Sequence, residues 1–260
     1  RLVAAGHKVA ICEQLGAAER GRGLIERDVT KVVTPGTVTD PAMLDSARNA
    51  YIAAVYADGP RAGLAYADLS TGEFAASQLT AAAADDARAA ANRELLRLGA
   101  AEVILASTPS GGAPDSEPTP DWLPDGITIS VTDAWQWRFE RARDTLLEHF
   151  GVQSLDGFGL ADRPAAIAAA GALLAYLADT QRSQLAQIAV LRAYDCDGAM
   201  VLDAQARRNL ELLESARGER RHGLLAVLDE TRTPMGARLL RRWLGQPLLD
   251  LDAIRLRQDA

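Results

Sequence analysis

Lysine is almost missing from this 260-residue chain, which holds only Lys8 and Lys31. A phosphate-cradling loop of the G-x-x-x-x-G-K-[ST] type needs a lysine directly after glycine, so that backbone amides hold the phosphate while the ammonium reaches its outer oxygens. Lys8 follows His7 and Lys31 follows Thr30, which excludes such a loop from these residues. Cysteine is equally sparse. Cys12 and Cys196 stand far apart in unlike contexts, so neither a disulfide framework nor a thiolate metal knuckle is indicated. His7, His149 and His222 lack the spacing of metal ligands, with one another or with the cysteines. No serine sits in a G-x-S-x-G elbow, and Cys12 has no identifiable base partner. "GRGLIE" at 21–26 lacks the third glycine of a dinucleotide fingerprint. No apolar run approaches the ~20 residues that span a bilayer, and the N-terminus lacks the basic, apolar, small-residue order of a signal peptide. A chain outside the membrane, in a reducing cytoplasm, is expected.

What is present is acid, and it is unevenly placed. The formal net charge is -7. Residues 1–40 hold 6 basic and 5 acidic side chains, residues 41–196 hold 11 and 20, and residues 197–260 hold 11 and 10. Such a balance argues against a chain that coats nucleic-acid phosphate along its whole surface. The acidic middle is better suited to face protein. The chain begins without Met inside a helical pattern and ends in another, "LDAIRLRQDA", so it is expected to be a piece of something longer.

The hydrophobic periodicity divides the chain. "HKVAICEQ" (7–14) and "DVTKVVTPGTVTD" (28–40) read as strands, the second closed by Pro35-Gly36. Between 50 and 78, "AYIAAVYA", "RAGLAYADL" and "EFAAS" are separated by Asp58-Gly59-Pro60 and Ser70-Thr71-Gly72, short turns that require an antiparallel meander. Thr80 is the expected N-cap of a helix bearing Ala84, Ala87, Ala91, Leu95 and Leu98 on one face. "AEVILA" (101–106) and "ITISV" (127–131) are further strands, and Phe139, Ala142, Leu146 and Phe150 mark a second helix. The order β-β-β-α-β-β-α is that of an α/β layer sandwich. Five of the eleven prolines lie in 107–126, expected to be an exposed loop and the first proteolytic nick site.

Beyond about residue 155 the strand signal fades. Asp162 is the expected cap of a helix striped by Ile167, Ala170, Leu174 and Leu177, and Leu202, Ala206, Leu210 and Leu213 predict another. "QIAVLRAY" (187–194) reads as an extended link. In "DETRTPMGARLLRRWLGQPL" (229–248), Thr233 suits an N-cap and Pro234 the first helical turn. At ~100° per residue Met235, Leu239, Leu240, Trp243 and Leu244 share one half of that helix, which is expected to pack, and Arg238, Arg241 and Arg242 the other, expected to be solvated. Gly245 and Pro247 stop it.

The strand order raises one enzymatic option, a ribonuclease-H-like nuclease holding two divalent metals on clustered carboxylates. Such a site wants an acid inside the first strand. Residues 50–57 have none, and Asp68 and Glu73 are expected to face solvent beside their turn.

Several stretches together resemble one family, the bacterial MutS DNA mismatch-recognition proteins. They are "GHKVAICEQ" (6–14), "RDVTKVVTPGTVTD" (27–40), "YADLSTGEF" (66–74), "LDAQARRNLELLES" (202–215) and "LLAVLDETRTPMGARLLRRWLGQPL" (224–248), in the family's order. The resemblance implies a three-part layout: 1–40 as the end of the mismatch-binding domain, 41–150 as a connector domain, and 151–260 as the start of a helical lever. The implied fold class is α/β, a ribonuclease-H-like mixed sheet with helices, followed by an all-α part. It also implies a parent protein that is a homodimer, binds mismatched duplex DNA, uses ATP and Mg and recruits MutL. The family's Phe-x-Glu mismatch wedge is not matched, since none of Phe74, Phe139, Phe150 and Phe158 has Glu two residues on. The resemblance implies that the wedge lies upstream of this piece and the ATPase domain with its P-loop downstream, so catalytic, cofactor and metal residues are expected to be none in this chain. Arg27 and Lys31 are the candidate DNA contacts, because a protein that bends DNA holds the flanking phosphates with basic groups. The expected role is coupling of mismatched-DNA binding to an ATPase domain outside this chain. The alternatives are a standalone protein-interaction module and the metal-dependent nuclease.

Overall fold

The structure, a computed structural model, describes residues 2–3, 6–14, 27–38, 45, 47–107, 120–181, 185–215, 217 and 219–259. The glycines of 21–26 and most of the expected loop at 107–126 (108–119) lie outside the described residues.

Strands β1 (Val9–Gln14) and β2 (Arg27–Val33) form an antiparallel two-stranded ribbon. The second strand stops at Val33, short of the expected range, because Pro35 opens a turn that the Thr37 N–H closes on the Thr34 carbonyl at 3.1 Å. Three strands follow as the meander that their short turns require: β3 (Ile52–Asp58), β4 (Arg61–Asp68) and β5 (Glu73–Thr80). After α1 (Ala84–Leu98), β6 (Glu102–Ala106) lies parallel to β3 and β7 (Thr128–Thr132) parallel to β6. The segment expected as an extended link contributes β8 (Arg192–Ala193), parallel to β5 at the far edge. The result is a mixed six-stranded sheet in the order β7-β6-β3-β4-β5-β8.

Helix α1 covers one face of the sheet with Ala87, Ala91 and Leu95, all buried against Val55, Leu64, Tyr66 and Val103. Its N-cap is Ala83 rather than Thr80, which remains the last residue of β5 because it pairs with Arg61. The other face holds α3 (Pro164–Thr180), and α2 (Phe139–Phe150) packs on α3. Twelve of the 17 residues of α3 are buried, so it is a core helix and not an amphipathic surface one. Small residues permit this. A Cβ on Gly63 would stand 1.8 Å from the Ala165 carbonyl oxygen, and one on Gly171 would stand 2.4 Å from Ala142 Cα. The three-four stripe predicted for this segment is therefore buried, but so is most of the rest, and the helix joins the sheet unit instead of opening the helical part. Arg163, not Asp162, occupies its N-cap position.

The C-terminal region is helical: α4 (Ala204–Asn209), α5 (Leu224–Leu228), α6 (Pro234–Gly245) and α7 (Leu251–Gln258). The helix expected to reach Leu213 ends early. Glu211 takes φ 47°, a left-handed conformation that breaks the ladder, and Leu210 is exposed. No helix among the described residues is long and apolar enough to cross a membrane.

Candidate coupling interface

Two joints connect the sheet unit to its neighbours. The first binds the turn after β2. Thr34 and Thr37 are fully buried, and their hydroxyls lie 2.8 Å apart. Both belong to a cluster centred on Glu102, the first residue of β6, itself without solvent exposure. One oxygen of Glu102 accepts from the Thr34 hydroxyl and, at 3.1 Å, from the Gly36 N–H. The other accepts from the Ser130 hydroxyl and, at 2.9 Å, from the Tyr176 phenol. A carboxylate so buried is costly unless each oxygen is hydrogen-bonded, and here four donors converge on it. Burial first, and the neighbouring Glu102 second, push the Tyr176 phenol well above its ordinary value, so it stays protonated and donates. The Gln181 side-chain amide completes the joint by donating to the Val32 carbonyl.

Gly36 is required here by proximity. A Cβ at that position would lie 2.8 Å from Glu102 Cβ and 2.9 Å from Ile52 Cβ. The Thr-Pro-Gly-Thr sequence thus does more than turn the chain, since it presents a bare backbone that fits against β3 and β6.

The second joint lies at the β4–β5 turn. Asp68, expected to face solvent, is fully buried, and it accepts from Asn49 at 2.7 Å, from the Ser70 N–H at 2.8 Å and from the Ser70 hydroxyl at 2.7 Å. Glu73, also expected outside, is mostly covered. The Tyr51 and Tyr66 phenols donate to it at 3.0 and 3.1 Å. Those rings meet edge to face at 5.0 Å. Burial, with Glu73 as the next cause, raises both phenols above their ordinary value. The physical reason for the correction is local. A turn aspartate whose side chain bonds the amide two residues on folds back into the turn instead of leaving it.

Helix α6 docks on this turn. Thr233 caps it as expected, accepting from the Gly236 N–H at 3.1 Å, with Pro234 in its first turn. Arg238 donates to the Ser70 hydroxyl at 3.1 Å and lies 4.0 Å from Asp68, while Arg242, one helical turn on, donates to Glu73 at 3.2 Å. The arginine half of the helix was expected to be solvated, yet two of its arginines face the sheet unit. Met235 and Leu239, expected to pack, are 81% and 47% exposed. Charge complementarity with Asp68 and Glu73 sets the rotation of α6, an influence that its own periodicity does not contain.

The candidate DNA contacts sit on the ribbon. Arg27 is exposed opposite Gln14, and Lys31 is half-buried opposite Ile11. A bulge separates them. Val29 pairs with Cys12 and Lys31 with the adjacent Ile11, leaving Thr30 as the extra residue, its hydroxyl 3.3 Å from the Ile11 carbonyl. Cross-strand partners share a face and adjacent residues do not, so Arg27 and Lys31 project from opposite faces of the ribbon. The four-residue spacing suggests one shared face, and the bulge reverses it. The hub at Glu102 was missed altogether. Its sequence signal is faint: Glu102 is the one polar residue of β6, Ser130 shares β7 with Thr128 and Thr132, and Tyr176 stands in a mostly apolar stretch of α3.

Comparison with known proteins gives three family matches in chain order. MutS domain I matches residues 1–42, MutS domain II residues 50–189, and MutS domain III residues 205–260. Over its whole length the chain is 41% identical to the DNA mismatch repair protein MutS of Roseiflexus castenholzii, 42% to that of Syntrophomonas wolfei and 44% to that of Symbiobacterium thermophilum. It spans 29%, 30% and 29% of those proteins, respectively.

Proposed function

We propose, from the premise that this chain belongs to the MutS family of DNA mismatch repair proteins, that it is the jointed portion relaying the state of mismatched DNA toward a nucleotide-hydrolysing part lying outside these residues. The observation that carries this reading is the Glu102 hub. One carboxylate ties the turn after β2 to β6, β7 and α3, so the ribbon cannot shift without disturbing the sheet unit.

The three-part layout belongs to the same reading: 1–40 ending a mismatch-binding domain, 41–150 a connector, and 151–260 opening a helical lever. Packing of α3 on the sheet favours carrying the connector onward through that helix. A three-stranded meander beside two parallel strands, with helices on both faces, supports a ribonuclease-H-like connector. ATP and Mg are assigned to the remainder of a longer, homodimeric protein. The residues present do not fit a nucleotide phosphate site of the P-loop kind, since neither lysine follows a glycine, and no step is routed through one. The acid excess of 41–196 supports a protein-facing role, with MutL as the proposed partner in the cytoplasm. Arg27 and Lys31 remain the proposed phosphate contacts, one on each face of the ribbon.

The test uses the gene that encodes this chain. Glu102→Ala is expected to raise the mutation rate of a complemented mismatch-repair-deficient strain toward that of the uncomplemented strain, while duplex binding in a gel shift persists. An unchanged mutation rate with a stably expressed variant would refute the coupling role. The 260-residue chain by itself is expected to bind duplex weakly and without mismatch preference, given its net charge of -7. A mismatch-selective shift at physiological salt would contradict the assignment.

A further inference from the structure

The connection that runs from the sheet unit to α4 is fastened in two unlike halves. The first is anchored in the core. Ile188 and Leu191 are fully buried with the residues that α2 and α3 bury. A Cβ on Gly72 would stand 2.4 Å from the Gln187 carbonyl oxygen, so this half lies hard against the β4–β5 turn. The His149 ring donates to the Ile188 carbonyl at 2.8 Å. Close-packed apolar side chains of this kind cannot lift away without opening the core beneath them.

The second half, from Arg192 on, is held differently. Arg192 and Ala193 pair with Ala75 and Ala76 of β5, a short ladder of the weaker, parallel kind. The chain is then caught at one residue. The Tyr194 N–H donates to the Ala76 carbonyl at 3.1 Å, its carbonyl accepts from Arg163 at 3.2 Å, and its phenol donates to the buried Glu94 at 2.8 Å. Its ring meets that of Tyr66 edge to face at 5.4 Å. Asp195 meets Arg163 at 2.8 Å with its own side chain 73% exposed, and the Cys196 thiol, a weak donor, lies 3.7 Å from the Ser77 hydroxyl. Further on, Met200 and Val201 are exposed. The far end belongs to the helices, since the Met200 N–H donates to the Pro247 carbonyl at 2.7 Å and Ala199 bridges to Leu248. A displacement of α6 or α7 therefore pulls on residues 199–200, and the load falls on Tyr194.

We propose that residues 192–201 are a strap that peels from the β5 edge as a unit, with Tyr194 as its catch and Leu191 as its pivot, while the sheet unit stays folded. Local opening below the cost of global unfolding is characteristic of segments with few buried apolar contacts and exposed backbone bonds. Once peeled, these residues span up to about 33 Å, which lets the C-terminal helices leave the β4–β5 turn without disturbing the core. The inference goes beyond the relay reading and does not rest on it, because the opening belongs to the linker whatever it transmits.

Cys196 reports the opening. Burial first, and the neighbouring Glu94 second, push its thiol up to about 12, so the closed strap resists thiol reagents. The test is the rate at which dithiobis-nitrobenzoate labels the 260-residue chain carrying Cys12→Ser, followed against urea; Cys12 is exposed and would mask the signal. Labelling is expected to rise with urea far less steeply than global unfolding does, since the slope scales with the surface that opening exposes. Tyr194→Phe removes one charge-assisted bond and is expected to speed labelling about tenfold. Arg163→Gln is expected to speed it by a smaller factor. His149→Ala, which removes a bond of the anchored half, is expected to label at the parent's rate. A urea slope equal to that of global unfolding would mean that the strap leaves only with the whole fold and would overturn the proposal, as would an unchanged rate in Tyr194→Phe. Acceleration in His149→Ala equal to that in Tyr194→Phe would overturn it too, because the pivot would then not lie between the two halves.

Discussion

The two joints that flank the sheet unit are built on opposite principles. At the first, one buried carboxylate gathers four hydrogen bonds from three other elements, and the donors come from hydroxyls and a backbone amide, with no cation among the four described donors. At the second, two arginines of α6 reach carboxylates at the β4–β5 turn, and Arg242 is 47% exposed. The difference has a mechanical meaning. A buried hydrogen-bond hub is costly to break, since each donor left alone in the interior forfeits its desolvation. An exposed ion pair is worth little and is weakened by salt. The first joint is therefore expected to be a fixed weld between ribbon and sheet, and the second a releasable contact. A relay needs both kinds, one to pass displacement on and one to let go.

The largest effect is expected at the weld. Glu102→Ala removes the acceptor for four donors at once and should cost about 3–5 kcal/mol, as when one member of a buried polar network is deleted. Glu102→Gln keeps the shape but turns one acceptor into a donor facing two other donors, and should cost about 1–3 kcal/mol. Urea unfolding of both variants measures this. If Glu102→Ala costs no more than a surface substitution, the two joints do not differ in kind and the contrast is lost.

Gly36→Ala should rank next. The added methyl meets Glu102 Cβ and Ile52 Cβ at 2.8 and 2.9 Å, atoms on strand backbones that cannot swing aside. Overpacking of this sort costs about 1–3 kcal/mol. Hydrogen exchange should rise at residues 34–37 and remain unchanged in α6. Equal changes in both places would show that the joints are one cooperative unit.

Much of this layout was legible in the chain. The meander followed from two short turns, and Ala87, Ala91 and Leu95 from helical spacing, because local sequence decides both. The α6 cap at Thr233 was legible for the same reason. What could not be read depends on distant residues. Burial of α3 on every side comes from Gly63 and Gly171, which let neighbouring backbones approach. The rotation of α6 comes from the β4–β5 turn some 170 residues earlier, as the sequence separations of 168 for Arg238 to the Ser70 hydroxyl and 169 for Arg242 to the Glu73 carboxylate record. The bulge that parts Arg27 from Lys31 is a property of the pairing with β1. Pattern reading predicts which residues an element hides, and it is blind to what a partner brings.

A smaller change separates the joints by their phenols. Tyr66→Phe removes one of two phenol donors to Glu73 and should cost about 0.5–1.5 kcal/mol at neutral pH. Because burial and Glu73 raise this phenol in the folded chain, its contribution is complete below the unfolded value near 10 and declines as pH rises beyond it. The variant should therefore lose less stability than the parent between neutral pH and pH values above about 10. Parallel alkaline limbs would mean that the phenol ionises equally in both states.

The smallest effect is expected at the releasable contact. Arg242→Ala should cost about 0.2–1 kcal/mol, because its partner Glu73 keeps two phenol donors and its own side chain is half in solvent. Arg238 is more covered, yet its 4.0 Å approach to Asp68 is the limit of an ion pair, and Asp68 retains Asn49 and Ser70. The double variant should thus unfold at nearly the urea concentration of the parent. Its signature lies elsewhere. Raising salt to 1 M shortens the screening length to about 3 Å, which should increase hydrogen exchange of α6 in the parent while leaving residues 34–37 protected. In the double variant the same salt step should change α6 little, since the charges that salt screens are already gone. A parent whose α6 ignores salt would place the second joint with the first as a weld, and the relay would then need its moving contact outside these residues.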